Sequence, residues 1–314
     1  MNRGEMQLLI TGGAGFIGAN LSRLARERGH HVRVFDDLST GRRSNLDGLD
    51  VEFVEDTILD YEAVLSAMSG IDAVVHLGAI PSVPRSIANP RASHDANASG
   101  TLNVLEAARH VGVGHLSVAS SSSVYGASPK LPKSEFDYTR PMSPYAVSKQ
   151  ATESYALAYQ FSYGLPTLAF RFFNVYGPGQ RADHDYAAVI PKFLDAAMNR
   201  RAVIVEGDGT QSRDFTFVET VCSVLLSAAE RRLVSPDPVN LAYETRVSLL
   251  ELLNIIEEEL GHAVAREFAR PRVGDVKASQ ADSERVMELF GEISPVGLRD
   301  GLRATIDWMS GLTR

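Results

Sequence analysis

Three glycines at three-residue intervals, Gly12, Gly15 and Gly18, do more than any other feature to limit what this chain can fold into. They follow the apolar run Gln7-Leu8-Leu9-Ile10, which reads as a short strand. They open the stretch Phe16–Arg28, which carries apolar side chains at helical spacing. A strand that gives way to a helix so quickly needs a residue tolerant of a tight turn at Gly12. It needs a bare backbone at Gly15 for a ligand to approach, and at Gly18 for helix and strand to lie close. The first helical turn then offers unbonded N–H groups and the positive end of its dipole, which suits a phosphate. Gly12, Gly15, Phe16, Ile17 and Gly18 are therefore candidate contacts for a pyrophosphate. A purely structural turn is the alternative, and Asp36 weighs against it. This acid ends the next strand-like run, Val32–Phe35, about 20 residues beyond the glycines, where a carboxylate accepts adenosine ribose hydroxyls. Asp37 adds a second negative charge that a 2'-phosphate would have to face, so the expected dinucleotide is NAD rather than NADP.

The same alternation continues downstream. Val51–Val54, Ala73–Leu77, Leu116–Ala119 and Thr167–Phe172 read as strands, with helices near Tyr61–Met68, near Ser99–His110 and from Ser143 onward. The expected class is α/β, a Rossmann-type doubly wound parallel sheet with helices on both faces. Beyond Asn174 the rhythm breaks at Tyr176-Gly177-Pro178-Gly179 and the elements become shorter and mixed. Residues 1–173 are expected to form the NAD-binding domain, with a returning segment at about 214–247. Residues 174–213 and 248–314 are expected to form a smaller α/β C-terminal lobe that binds the substrate.

The net charge of -8 argues against nucleic acid or an anionic membrane as partner. Cys222 is the only cysteine, so an intramolecular disulfide is impossible, and its apolar neighbours predict a packed thiol. No His-Glu-x-x-His or Cys/His cluster suggests a metal site. No apolar run approaches the roughly 20 residues of a membrane span. Strand-like sequence from Met6 leaves no room for a signal peptide, so a soluble, cytoplasmic protein is expected.

The chemistry is carried by Ser143-Pro144-Tyr145-Ala146-Val147-Ser148-Lys149. Ser143 is a good N-cap and Pro144 a good first helical residue, which sets Tyr145 and Lys149 one turn apart on one face. No other tyrosine in the chain is followed four residues later by lysine. A free phenol has a pKa near 10; a useful base needs a shift of roughly three units, about 4 kcal/mol. An adjacent ammonium and a positive nicotinamide ring both act in that direction. An ordinary packed tyrosine with a solvated lysine is the alternative, and the dinucleotide fold upstream weighs against it. Ser120-Ser121-Ser122-Ser123-Val124-Tyr125-Gly126 follows a predicted strand, at the carboxyl end where parallel sheets form their ligand crevice.

Taken together, these motifs resemble the extended short-chain dehydrogenase/reductases of the NAD-dependent nucleotide-sugar epimerase/dehydratase family, and within it the UDP-sugar 4-epimerases. The resemblance runs end to end, through Thr11–Gly18, Asp36, Ser120–Gly126, Tyr145–Lys149, Arg171-Phe172-Phe173-Asn174, Arg213-Asp214-Phe215 and Arg272-Val273-Gly274-Asp275. It implies that Tyr145 is the base, that Lys149 supports it and holds the nicotinamide ribose, and that Ser121 binds the reacting hydroxyl. Ser121 stands three residues before Val124, with Ser122 as the neighbouring alternative. Around the cofactor it further implies Asp56, Thr57, Leu77, Gly78, Ala79 and Asn97. Around the substrate it implies Ser82, Arg85, Ser121, Ser122, Asn174, Val189, Val205, Arg213, Arg272, Asp275 and Ser279. The arginines suit a diphosphate because guanidinium forks bind phosphate bidentately. Gly78 departs from the family, which usually has alanine there, and puts the local packing in question. A homodimer is implied through the helices beginning near Ser99 and Ser143.

An epimerase of this type oxidises carbon 4 of the sugar, lets the keto sugar turn over, and returns hydride to its opposite face. The related dehydratases place Asp-Glu just after the catalytic Ser or Thr. Here Ser122 and Ser123 stand there, which favours epimerisation. A UDP-uronic acid epimerase or decarboxylase is the runner-up, with Arg181 as the candidate for the carboxylate; a non-catalytic NAD-binding protein is the reading from another class. The resemblance also places Ser279 where family members differ between a large aromatic and a small residue beside carbon 2. Serine should admit an N-acetyl group, so activity is expected on UDP-N-acetylglucosamine/galactosamine as well as UDP-glucose/galactose. The plain alternative is that Ser279 caps a surface turn.

Overall fold

The structure, a computed structural model, describes residues 4–183, 186–270 and 278–312. In chain order the first elements are β1 (Gln7–Thr11), α1 (Phe16–Glu27), β2 (His31–Phe35), β3 (Glu52–Val54), α2 (Tyr61–Ala67) and β4 (Ala73–His76). Next come α3 (Val83–Ala88), α4 (Pro90–His94), α5 (Gly100–Val111), β5 (His115–Ser121), α6 (Pro144–Tyr163), β6 (Thr167–Phe172) and β7 (Val175–Tyr176). Then follow α7 (Val189–Met198), β8 (Val203–Glu206), β9 (Ser212–Asp214), β10 (Thr216–Phe217), α8 (Val218–Arg231) and β11 (Val239–Leu241). The chain closes with β12 (Arg246–Ser248), α9 (Leu249–Leu260), β13 (Arg266–Ala269), α10 (Glu284–Phe290) and α11 (Leu298–Leu312).

A seven-stranded sheet in the order β11-β6-β5-β4-β1-β2-β3 confirms the expected Rossmann-type topology. The pairings β3–β2–β1–β4–β5–β6 are all parallel. The order reverses beside β1, at the switch point where open α/β sheets take their ligands. The middle of β1, Leu8-Leu9-Ile10, and the start of β4, Ala73-Val74-Val75, are continuously apolar because both faces of a parallel sheet are covered.

The chain divides into two compact units. The first comprises Met1–Gly126, Thr139–Phe172 and Cys222–Val239; the second comprises Ala127–Tyr138, Phe173–Val221 and Asn240–Arg314. The segment that returns to the first unit is thus Cys222–Val239, and the loop Ala127–Tyr138 groups with the second. In the first unit Leu9, Phe35, Val74, Val104, Leu105, Leu116 and Val118 pack into one core. In the second, Ile190, Phe193, Leu194, Val203, Val205, Leu252, Leu253 and Ile256 form another. Full burial of each such side chain contributes about 1.5–3 kcal/mol. Cys222 is buried as expected, its thiol 3.7 Å from the Ile17 carbonyl. Among the described residues no helix is long and apolar enough to cross a membrane.

Candidate active site

The glycine turn is built to take a ligand's backbone-hugging group. Gly12 has φ +68°, and a Cβ there would lie 2.7 Å from Gly78 N and 2.8 Å from Leu77 C. A Cβ on Gly18 would run into the Gly12 carbonyl oxygen. Helix α1 starts from Gly15, which has no side chain to cap it, and its first turn contains no acid. Its terminal N–H groups are thereby left to an anion, so the turn fits a dinucleotide pyrophosphate. Phe16 and Ile17 are half-buried on that first turn.

Asp36 is buried at the end of β2. Its Oδ2 accepts from Ala14 N–H and its Oδ1 from Leu38 N–H, both at 2.9 Å. Burial pushes its carboxyl up, against the two N–H bonds that pull it down. Asp37 is exposed and accepts from Ser39 N–H at 2.9 Å. Asp56 and Thr57 follow β3, the Asp56 carboxylate accepting from Thr57 N–H at 2.7 Å. Leu77, Gly78 and Ala79 follow β4. A Cβ on Gly78 would stand 3.2 Å from Thr11 Oγ1 and 3.4 Å from Ile58 Cδ1, so glycine relieves a tight contact there.

Behind this loop lies a buried polar chain whose proton positions follow from donor counting. Thr101 Oγ1 donates to the Asn97 carbonyl at 2.6 Å, so it can only accept from His76 Nε2, 3.0 Å away. His76 therefore carries its proton on Nε2, and Nδ1 accepts from Thr11 Oγ1 at 2.6 Å. Thr11 in turn accepts from Gly78 N–H at 3.2 Å. Burial and the nearby Lys149 charge push His76 down to about 3, so it stays neutral. Asn97 sits in a π-helical turn, Asp95–Ser99, and spends its amide locally: Oδ1 on Ile80 N–H, Nδ2 on Ile80 O and Ser148 Oγ. It fastens the loop after β4 to α6.

Helix α6 begins as its sequence requires. Ser143 Oγ accepts from Ala146 N–H at 3.1 Å, Pro144 occupies the first turn, and Gly164 closes the other end at φ +69°. Tyr145 is half-buried and hydrogen-bonded to Ser121, which ends β5. Lys149 is buried, with Nζ donating to the Ala119 carbonyl at 2.8 Å. Ser121, Tyr145 and Lys149 are thus brought together. Ser122 lies one residue on, in a single 3₁₀ turn that Ser121 caps through Ser123 N–H. The charge effect differs from the sequence expectation. In the protein alone, burial dominates and pushes the Tyr145 phenol up, opposed by the Ser121 hydrogen bond. The Lys149 ammonium is itself pushed down to about 8 by burial.

The residues expected to contact substrate are distributed over both units. Ser82 caps α3 from φ +94°, a strained conformation for a residue with a side chain, and Arg85 lies half-buried on that helix. In the second unit Asn174 Nδ2 donates to Asp214 O at 2.9 Å. Arg213 is buried, its Nη1 donating to Ser212 O at 2.8 Å. Ser279 N–H donates to the same Ser212 carbonyl at 3.0 Å. Ser279 is 8% exposed. Val189 is half-buried at the start of α7, whereas Val205 is wholly buried in the core of its unit, where its side chain is spent on packing. Arg272 and Asp275 lie outside the described residues. Arg181 grips Asp183 with both arms of its fork, Nε–Oδ1 at 2.7 Å and Nη2–Oδ2 at 3.0 Å.

Residues 8–242 match the NAD dependent epimerase/dehydratase family. The chain belongs to that family. It is 35% identical over 309 residues to a UDP-glucose 4-epimerase of Mycolicibacterium smegmatis, covering 96% of this chain and 98% of that one. Its structure matches the UDP-N-acetylglucosamine 4-epimerase from Methanobrevibacter ruminantium M1, solved with UDP-N-acetylmuramic acid. The TM-score is 0.93 at 31% identity, over 98% of this chain and 99% of that one. It also matches the UDP-glucuronic acid 4-epimerase from Bacillus cereus, solved with UDP-glucuronic acid and NAD. Here the TM-score is 0.88 at 30% identity, over 98% and 100% of the two chains. The cofactor expected from Asp36 is the one this family uses.

Sequence reasoning missed three parts of this epimerase/dehydratase scaffold. Gly41 belongs to the cofactor region, since a Cβ there would meet Asp36 Oδ1 at 3.0 Å and Ala14 at 2.9 Å. A buried ion pair joins Arg171 to Glu153: Nε–Oε2 at 2.9 Å and Nη2–Oε1 at 2.6 Å, with Ser120 Oγ on Oε2 and Tyr125 OH on Nη1. Glu153 lies one turn beyond Lys149 on α6, which was the available signal. The third is Asp214, whose role is taken up below.

Proposed function

We propose that this is a cytoplasmic enzyme that interconverts the carbon-4 epimers of UDP-sugars. Its substrates on this reading are UDP-glucose/galactose and UDP-N-acetylglucosamine/galactosamine. The observation that carries the reading is the contact of the Ser121 hydroxyl with the Tyr145 phenol beside a buried lysine. Gly12, Gly15, Phe16, Ile17, Gly18, Asp36, Asp37, Asp56, Thr57 and Leu77–Ala79 would hold NAD, with Lys149 at its nicotinamide ribose. Held there, NAD would supply the acceptor and donor for the carbon-4 hydride and a positive ring that, with the Lys149 ammonium, would favour the phenolate. Tyr145 takes the hydroxyl proton from one epimer and returns it to the other, so the protein ends each cycle unchanged. Ser121 shares a hydrogen bond with the reacting hydroxyl and keeps it aimed at the phenol. Asn174, Arg213 and Arg272 would hold the nucleotide diphosphate; Asp275 would also contact the substrate, and Ser82, Arg85, Ser122, Val189 and Ser279 would surround the sugar.

The runner-up, a UDP-uronic acid, would need Arg181 to leave the carboxylate of Asp183 for that of the sugar. A homodimer goes with the reading, because α6 leaves Val147 and Tyr155 half-exposed and Phe161 almost fully exposed.

The test is incubation with a panel of UDP- and dTDP-sugars, with products resolved by NMR. Conversion of the two neutral pairs supports the reading, as does loss of turnover by orders of magnitude in Tyr145→Phe with NAD still bound. Near-normal turnover in that variant would show that Tyr145 is not the base.

A further inference from the structure

Strand β9 is three residues long, yet it holds two flanking segments through one side chain. Asp214 has 0% of its surface exposed. Its Oδ1 accepts from Thr245 N–H at 3.2 Å and lies 3.1 Å from the Thr245 hydroxyl. Its Oδ2 accepts from Ala281 N–H at 3.0 Å. Its carbonyl takes the Asn174 amide. The neighbouring Arg213 pairs with Val247 of β12 on one side, and Ser212 receives the Ser279 N–H on the other. A carboxylate is the only side chain of this size that offers acceptors in both directions at once. An amide in its place would turn an N–H₂ toward either the Thr245 or the Ala281 donor, leaving that buried N–H without an acceptor.

We propose that Asp214 is a positioning residue for the nucleotide diphosphate: it fixes Asn174, Arg213 and Ser279 relative to one another so that they meet the ligand as one preformed surface. This rests on the UDP-sugar reading above. The inference concerns binding and not the chemical step, because Ser121, Tyr145 and Lys149 are carried by β5 and α6. A residue that only supported the fold would depress every parameter together. A positioning residue for the diphosphate raises Kd and KM and spares kcat at saturation.

The experiment measures UDP binding by calorimetry, KM and kcat for the preferred UDP-sugar, and bound NAD, in wild type, Asp214→Asn and Thr245→Val. Asp214→Asn is expected to weaken UDP binding and raise KM tenfold or more, with kcat within about twofold and NAD content unchanged. Thr245→Val, which removes one hydroxyl, is expected to weaken UDP binding about threefold and decides the matter if Asp214→Asn does not fold. UDP affinity equal to wild type in the variants overturns the inference alone. A wild-type protein that does not bind UDP overturns the UDP-sugar reading and this inference with it.

Discussion

Removing the carboxylate of Glu153 would leave a buried guanidinium without its counter-charge. Glu153 and Arg171 have side chains 7% and 4% exposed, and two hydrogen bonds join them. In Glu153→Ala the guanidinium keeps Tyr125, whose hydroxyl lies at 2.8 Å and whose ring centroid lies 4.7 Å from its carbon, but it loses its counter-charge. Breaking a buried pair from one side costs about 3–5 kcal/mol. Ser120 Oγ loses its 2.9 Å partner as well and retains only a 3.3 Å bond to the Lys149 carbonyl. At roughly 2–4 °C per kcal/mol for a chain of this size, the melting temperature should fall by about 6–20 °C. Stripping both charges in Glu153→Leu/Arg171→Met should cost less than the two single losses added together, with a coupling of about 2–3 kcal/mol. Urea and thermal unfolding of wild type, Glu153→Leu, Arg171→Met and the double variant measure the cycle, with Glu153→Ala measured beside them. A Glu153→Ala cost below about 1 kcal/mol, or strict additivity, would refute the reading that this pair ties α6 to β6.

Acid should destabilise the protein through its buried histidines. His76 and His115 have folded pKa values pushed down to about 3 and about 4, chiefly by burial, against an ordinary 6.5. The stability they contribute is complete above pH 6.5 and is lost as pH falls toward those values, about 2 kcal/mol each by pH 5. His115→Gln should therefore shrink the loss between pH 7 and pH 5 by about 2 kcal/mol in urea titrations; an unchanged slope would contradict the assignment. Ser279→Tyr should abolish turnover of the N-acetylated pair and spare the plain hexoses, since overfilling a fitted space strains it; NMR product analysis of both pairs decides. Gly12→Ala combines a left-handed φ with three backbone contacts under 3.0 Å. It should destabilise by about 2–4 kcal/mol and empty the protein of NAD on purification, whereas normal NAD content would show that the turn can yield.

The Rossmann half was legible because its signals are local. Alternating runs such as Gln7–Ile10 and Val32–Phe35 appear where they were expected, within a residue or two. Ser143, Pro144, Tyr145 and Lys149 are related by helix geometry alone, so their spacing carried the site. What stayed hidden depends on distant packing. Arg171 and Glu153 belong to different elements, and the position of Glu153 one turn beyond Lys149 marks the acid without naming its partner 18 positions away. The short helices α3 and α4 are punctuated by Pro84, Asn89 and Pro90, which break any periodic signal. Strands β9 and β12 are three residues each, too short for alternation to show. Val205 illustrates the reverse error of emphasis: a residue placed near substrate by resemblance can have its side chain spent on the core.

The discontinuity of the first unit bears on how the chain reaches its fold during synthesis. Its sheet ends at β11, beside β6, although some 65 residues separate those strands in sequence. Until that stretch has left the ribosome, β6 is an unpaired edge with a row of open backbone donors and acceptors, a template for association with other chains. The Cys222–Val239 segment, which carries most of α8, arrives equally late, so the Ile17 carbonyl of α1 must wait for its thiol neighbour. A nascent chain halted after β6 holds the glycine turn and the Tyr145–Lys149 pair, and still lacks the last strand of the sheet that carries them. Shielding of that edge by a chaperone would matter most in this interval, and a gene truncated there should yield aggregate rather than a minimal cofactor-binding domain.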